Sequence, residues 1–207
     1  MIKVQNEADC CWITLARPDK ANALTEAMLE ALALAATDAA SSAKVLILTG
    51  EGKVFSAGAD LEGMRNGLGL SPAWEDASAA VAAFPGLSIA ALNGTLAGGA
   101  MGVALACDLR IAVPSANFFY PVMRLGYRPQ PSDPARLADL VGPARAKMIL
   151  LAAQRIDAEA ALSWGLIDRI CPPEALIDTA MSLAEAALAA DPGHVHALKR
   201  MTNGETP

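Results

Sequence analysis

Apolar and polar positions along this chain change period several times. Residues 2–5 and 10–16 read as two strands around the polar turn 6–9. In the second, Cys11, Ile13 and Leu15 share one face, and Trp12 and Thr14 the other. Arg17-Pro18-Asp19-Lys20 breaks the pattern. A helix is predicted from Thr25, an N-cap residue, with Met28, Leu32 and Ala35 on one face. Val45-Leu46-Ile47-Leu48, Ile89-Ala90-Ala91-Leu92 and Leu109-Arg110-Ile111-Ala112-Val113 are short continuous apolar runs. Such runs mark parallel strands covered on both faces. Helical stretches at residues 73–84 and 100–106 lie between them. This alternation predicts an α/β layout with right-handed crossovers.

The last third reads as mostly helical. Ser132 or Asp133 is placed to cap a helix with Pro134 at its first position. Further helices are expected over residues 145–153, over 158–164 with Gly165 as the stop, and over 174–190, ended by Asp191-Pro192-Gly193. Residues 167–170 look like a final strand and 194–201 like the start of one more helix. No internal repeat, linker or low-complexity tract stands out.

Composition narrows the class. Of 207 residues, 54% are hydrophobic and 18% charged, which suits one domain with a sizeable core. The net charge of -6 and the lack of any Lys/Arg block argue against a nucleic-acid binder. Cys10, Cys11, Cys107 and Cys171 form no C-x-x-C pair, so reduced core thiols are expected rather than a disulfide framework or a zinc site. Glu7 comes too early for a signal peptide, and no apolar run approaches the ~18 residues of a spanning helix. The expectation is a soluble, cytoplasmic protein with no membrane contact.

Two glycine-containing stretches carry the candidate chemistry: Phe55-Ser56-Ala57-Gly58-Ala59-Asp60-Leu61 and Asn93-Gly94-Thr95-Leu96-Ala97-Gly98-Gly99-Ala100. Each follows a strand-like run and leads into a helix-like run. Small residues let backbone N–H groups approach a ligand, and two such loops facing each other can hold negative charge developing on oxygen. Competing site classes are weaker. His194 and His196 are the only histidines, and their i,i+2 spacing puts them on different helix faces, so no histidine triad or metal centre is expected. There is no G-x-S-x-G elbow, no Walker A motif and no complete dinucleotide loop at Gly67-Leu68-Gly69. Trp74 and Trp164 read as packing residues.

Four blocks, in order along the chain, resemble the crotonase superfamily of enoyl-CoA hydratases and isomerases. They are Leu15-Ala16-Arg17-Pro18 with Asn22-Ala23-Leu24; residues 55–61; residues 93–100 with Ala106-Cys107-Asp108; and Ala158-Glu159-Ala160 with Gly165-Leu166-Ile167. The resemblance implies a crotonase-like α/β fold of stacked ββα units, with mixed sheets flanked by helices and a helical C-terminal part. It implies a core over residues 1–190 and a shortened C-terminal helix or tail over 191–207. The implied ligand is an acyl-CoA thioester, with coenzyme A as part of the substrate and no separate cofactor, in a homo-oligomer (trimer or hexamer). Its carbonyl oxygen would sit between the N–H groups of Ala59 and Gly99. Ala57, Asp60, Leu61, Lys20, Tyr120 and Val122 would line the substrate, with Lys20 or Arg17 toward the CoA phosphates.

The family's hydratases use two glutamates, one three residues after the second loop's N–H donor and one after a proline. This chain has Gly102 and Val122 there. Tyr127 and Asp133, on the segment that lines the acyl pocket in the family, are the replacement acid–base candidates, although Asp133 also reads as a helix cap. The implied reactions are hydration, double-bond isomerisation or decarboxylation. The alternative is a catalytically silent binding or assembly subunit of the same fold.

Overall fold

The computed structural model describes residues 1–205. Its strands are β1 (Ile2–Glu7), β2 (Cys10–Leu15), β3 (Val45–Gly50), β4 (Val54–Ser56), β5 (Leu87–Leu92), β6 (Thr95–Ala97), β7 (Leu109–Ala112), β8 (Asn117–Phe119), β9 (Ile156–Asp157) and β10 (Arg169–Ile170). Its helices are α1 (Glu26–Ala39), α2 (Leu61–Arg65), α3 (Ala73–Ala82), α4 (Ala100–Leu105), α5 (Val122–Leu125), α6 (Asp133–Val141), α7 (Pro143–Leu150), α8 (Ala158–Trp164), α9 (Leu176–Ala189) and α10 (Pro192–Thr202).

Two sheets organise the chain. The larger has the order β1-β2-β3-β5-β7-β10, and the smaller β4-β6-β8-β9. β1 and β2 form an antiparallel hairpin, and β2, β3, β5, β7 and β10 then pair in parallel. The continuous apolar runs have the expected cause: Val45 to Leu48 and Ile89 to Leu92 are buried on both faces. The units β3-β4-α2, β5-β6-α4 and β7-β8-α5 repeat one plan. The first strand of each joins the large sheet and the second joins the small one. This ββα repetition leaves no repeat in the sequence.

The helical expectations hold with small shifts. Thr25 caps α1 by accepting from the Met28 N–H at 3.3 Å, and Met28, Leu32 and Ala35 are buried. Gly165 ends α8 in the left-handed region. The helix expected over 174–190 is α9, and Asp191 starts α10 directly by accepting from the Gly193 and His194 N–H groups. Residues 206 and 207 of the segment set apart as a tail lie outside the described residues. Lys199 on α10 reaches the carbonyls of Phe84 and Gly86 and the Asp108 carboxylate, at 2.8, 3.0 and 2.8 Å. All four cysteines are free and buried, and burial pushes the Cys107 thiol up to about 12.

One buried side chain ties the two sheets together beside the first loop. Asn22 is fully buried with φ +53°. Its Oδ1 accepts from the Arg17 N–H at 2.8 Å, and its Nδ2 donates to the carbonyls of Glu51 and Val54 at 2.9 and 2.8 Å. The Ser56 hydroxyl donates to the Asn22 carbonyl at 2.8 Å. The corner after β2 is thereby fixed to the turn between β3 and β4. Asn22→Ala would leave the Arg17 N–H and the Glu51 carbonyl without their partner, leave the Val54 carbonyl only a 3.4 Å bond from Asn93, and put alanine in the left-handed region. The expected loss is about 3 kcal/mol. In a chain of this length that lowers the melting temperature by about 6–12 °C, as read by circular dichroism.

Candidate active site

The strand pair β4–β6 brings the two glycine loops side by side, because each loop leaves the same end of a parallel pair. Gly58 has φ +95°, and a Cβ there would lie 2.9 Å from the Ala97 carbonyl oxygen and 3.3 Å from the Gly98 Cα. Only glycine satisfies both demands. The first loop is pinned by a bridge to Leu24. The Leu24 N–H donates to the Gly58 carbonyl at 2.7 Å, and the Asp60 N–H donates to the Leu24 carbonyl at 2.8 Å. These bonds use the groups on either side of Ala59, so the Ala59 N–H is left out of the bridge. In the second loop the Gly98 N–H donates to the Phe119 carbonyl at 3.0 Å and the Met101 N–H to the Gly98 carbonyl at 3.0 Å. Among the described residues, neither the Ala59 nor the Gly99 N–H donates to a protein acceptor.

Both residues line one cavity of about 170 Å³. Trp74 forms part of its wall. The ring is buried, its Nε1 donates to the Leu68 carbonyl at 2.9 Å, and a Cβ at Gly99 would come within 2.9 Å of it. Leu61 and Leu125 carry the apolar lining out to solvent, at 77% and 62% exposure. A larger apolar cavity of about 520 Å³ lies between α9, α10 and the start of β5, with neither loop in its lining.

Comparison with known proteins decides the family. The family model described as enoyl-CoA hydratase/isomerase matches residues 5–206. The chain is 34% identical to "Probable enoyl-CoA hydratase echA6" of Mycobacterium leprae, covering 99% of this chain and 83% of that protein. It is 37% identical to "Carnitinyl-CoA dehydratase" of Salmonella arizonae, covering 92% of this chain and 75% of the relative. The solved structure of an enoyl-CoA hydratase from Bacillus anthracis superposes with a TM-score of 0.90 at 33% identity, over 98% of this chain and 83% of that one. The chain belongs to the enoyl-CoA hydratase/isomerase family. The crotonase-like fold expected from its four sequence blocks is therefore correct.

Within this family member, the structure gathers most of the expected site residues and leaves three aside. Ala57, Ala59, Leu61, Gly99, Tyr120, Val122 and Tyr127 line the cavity. Lys20 sits exposed on a single 3₁₀ turn outside the lining. Asp60 is also outside it. Its carboxylate accepts from the Glu62 and Gly63 N–H groups at the start of α2 and pairs with Arg17 at 2.6 Å. The Gly63 N–H bond first, and then the Arg17 bond, hold this carboxyl below its ordinary range. Arg17, offered from sequence with Lys20 toward the CoA phosphates, is half-buried and paired with Asp60.

Asp133 is the third, and its reading as a helix cap is wrong. Ser132 occupies the N-cap of α6 and makes no side-chain cap bond; Asp133 is the first helical residue and turns inward at 1% exposure. Its Oδ2 accepts from the Tyr120 hydroxyl at 2.8 Å, while its Oδ1 has no protein partner. The carboxylate fills the space beside Gly102 on α4. A Cβ there would lie 2.9 Å from Oδ2, 3.0 Å from Cγ and closer still to Oδ1. The cap was misassigned because this tertiary space competes with the helix end for the same side chain. The Tyr120–Asp133 pair was missed because the two residues share no element and no periodicity. The one signal in the sequence was the coincidence of a bare glycine at 102 with an acid on the later segment.

Burial pushes the Asp133 carboxyl up to about 6, against the Tyr120 hydrogen bond and the Arg136 charge, which favour ionisation. Burial first, and then the Asp133 charge, push the Tyr120 phenol well above its ordinary range, so it stays neutral. Because the folded-state value of Asp133 is raised, the folded chain binds the proton more tightly than the unfolded one. The stability this group contributes is therefore fully present below about pH 4 and is lost as pH rises through about 6, by roughly 3 kcal/mol. Urea titrations across that window should show this slope in the wild type and a flatter one in Asp133→Asn.

Proposed function

We propose that this chain binds an acyl-CoA thioester and stabilises its enolate, with the thioester oxygen held between the Ala59 and Gly99 N–H groups. The observation that carries this reading is the pair of backbone donors without protein acceptors on adjoining loops of one cavity. A fixed donor of this kind is worth about 3 kcal/mol to a developing oxyanion when water is excluded. The buried Trp74 ring and the apolar wall supply a low-dielectric side to the cavity. The names of the relatives, a hydratase and a dehydratase of CoA esters, point to the same ligand class. Ala57 and Leu61 are the backbone positions for the pantetheine arm. Gly102 has no side chain, and Val122 presents an aliphatic one to the cavity. That pairing disfavours water addition by two carboxylates and favours chemistry in which enolate stabilisation dominates.

Butyryl-CoA at a hundredfold excess over its Kd should raise the melting temperature by about 5–10 °C. Gly99→Pro, which deletes the donor, should abolish the shift. Gly99→Ala keeps the N–H while crowding Trp74, and so separates loss of the donor from the steric effect. The absence of any shift with wild-type protein and a panel of CoA esters would sink the reading.

A further inference from the structure

We propose that Tyr120 is the catalytic proton-transfer residue of this site, and that Asp133, lodged against Gly102, is the positioning residue that takes the phenol proton as Tyr120 accepts one from the substrate α-carbon. The proposal rests on the thioester reading above and assigns that site its acid–base unit and its reaction class.

Three observations carry it. Tyr120 lines the cavity together with both loops, whereas Asp133 does not. The phenol hydroxyl donates to Asp133 Oδ2 at 2.8 Å, so the proton already points at the carboxylate. The second carboxylate oxygen is buried without a partner, an arrangement that a purely structural residue would not need. A neutral amide or an apolar side chain against Gly102 would serve packing alone. The tyrosine cannot act as a free base, because its surroundings keep it protonated. It can act when its own proton leaves at the same moment, and the carboxylate behind it makes that possible.

The step balances. A C–H bond α to the thioester breaks, and its proton goes to Tyr120 Oη while the Tyr120 proton passes to Asp133 Oδ2. The electron pair moves into the thioester, placing negative charge on the oxygen between the Ala59 and Gly99 N–H groups. In a β,γ-unsaturated ester the dienolate then takes a proton from Tyr120 at the γ-carbon, and Asp133 returns its proton to the phenol. The double bond has moved from β,γ to α,β with no atom gained or lost, and no oxidant or second carboxylate is needed. One acid–base unit suffices for this isomerisation, whereas hydration calls for two.

The charged and titratable groups around Asp133 are Tyr120, Glu75 on α3 and Arg136 on its own helix. α4 contributes Gly102 and no charged residue. Glu75 is held by the Ser132 N–H at 3.3 Å, so it faces the start of α6 as well. The relay needs Asp133 ionised, and so it runs on the alkaline side of that group.

The test uses vinylacetyl-CoA, with chromatographic separation of the two isomers following crotonyl-CoA formation and mass spectrometry reading deuterium uptake in heavy water. Calorimetry with butyryl-CoA reads binding separately. The wild type should form crotonyl-CoA at a rate that rises to a plateau as pH climbs through about 6. Tyr120→Phe and Asp133→Asn should each lose about 100-fold in rate while butyryl-CoA affinity stays within about threefold. In Asp133→Asn the acidic limb of the residual rate should vanish, a change that loss of packing would not produce. If Asp133→Asn fails to fold, Tyr120→Phe, which removes only a hydroxyl, decides alone. Wild-type protein that binds butyryl-CoA yet neither isomerises nor exchanges overturns the relay and leaves the thioester reading standing. Variants that keep their rate within about tenfold, or an unchanged acidic limb, overturn it as well. Wild-type protein that binds no CoA ester overturns both.

Discussion

The close approach of two backbones, Gly58 against Gly98, is the constraint on which the site depends. The Cα of Gly98 would lie 3.3 Å from a Cβ at position 58, and the Ala97 carbonyl nearer still. Any side chain at Gly58 would force apart the loops leaving β4 and β6, and with them the N–H groups of Ala59 and Gly99. The rest of the fold holds that approach in place. The β4–β6 pairing sets the direction of the two loops, the Leu24 bridge fixes Ala59, and the Phe119 carbonyl fixes Gly98. Asn22 locks the corner that carries Leu24 to the turn that feeds β4. Each fixture satisfies a neighbouring polar group and leaves the two donors alone, so the pair is preorganised before any ligand arrives.

How far the sequence could be read follows from the length of each signal. The large sheet was legible because Val45 to Leu48 and Ile89 to Leu92 are long enough, and buried enough, to show as unbroken apolar runs. The small sheet was not. Its strands are two or three residues long, and β4 and β6 lie inside the glycine stretches themselves, where periodicity cannot register. The donor loops could be located because small residues concentrate there and because the blocks around them resemble a known family. The inward turn of Asp133 depends on the space above Gly102, a property of the α4–α6 packing that no local pattern encodes. Lys20 and Asp60 were drawn toward the site by their closeness in sequence to the motifs. Asp60 has a stronger local commitment, to the first turn of α2 and to Arg17.

Trp74 connects the packing of the core to the shape of the cavity. Its indole N–H is satisfied by the Leu68 carbonyl, and its ring lies against Gly99, where a methyl group would collide with it. The same ring closes the inner side of the cavity, which is only about 170 Å³. The interior is small, and Leu61 and Leu125 lie exposed at its rim. Apolar walls near the donors and an exposed apolar mouth farther out are a physically consistent pair. The first strengthens hydrogen bonds to a charged oxygen, and the second accepts alkyl surface without closing on it.

The buried carboxylate is the least economical part of the fold and therefore the most informative. An aspartate whose carboxyl is pushed up to about 6 by burial destabilises the ionised protein at neutral pH. The adjoining helix has made room for it by presenting glycine at 102. An aspartate is also short. From the first turn of α6 it reaches the Tyr120 hydroxyl but not the cavity lining. A carboxylate projecting directly into the cavity would meet substrate itself. One held a single hydrogen bond behind the phenol oxygen would, in the proposed relay, exchange a proton with substrate through Tyr120. In that relay the group that stores the proton is separate from the group that lines the cavity, so cavity shape and proton affinity are set by different residues.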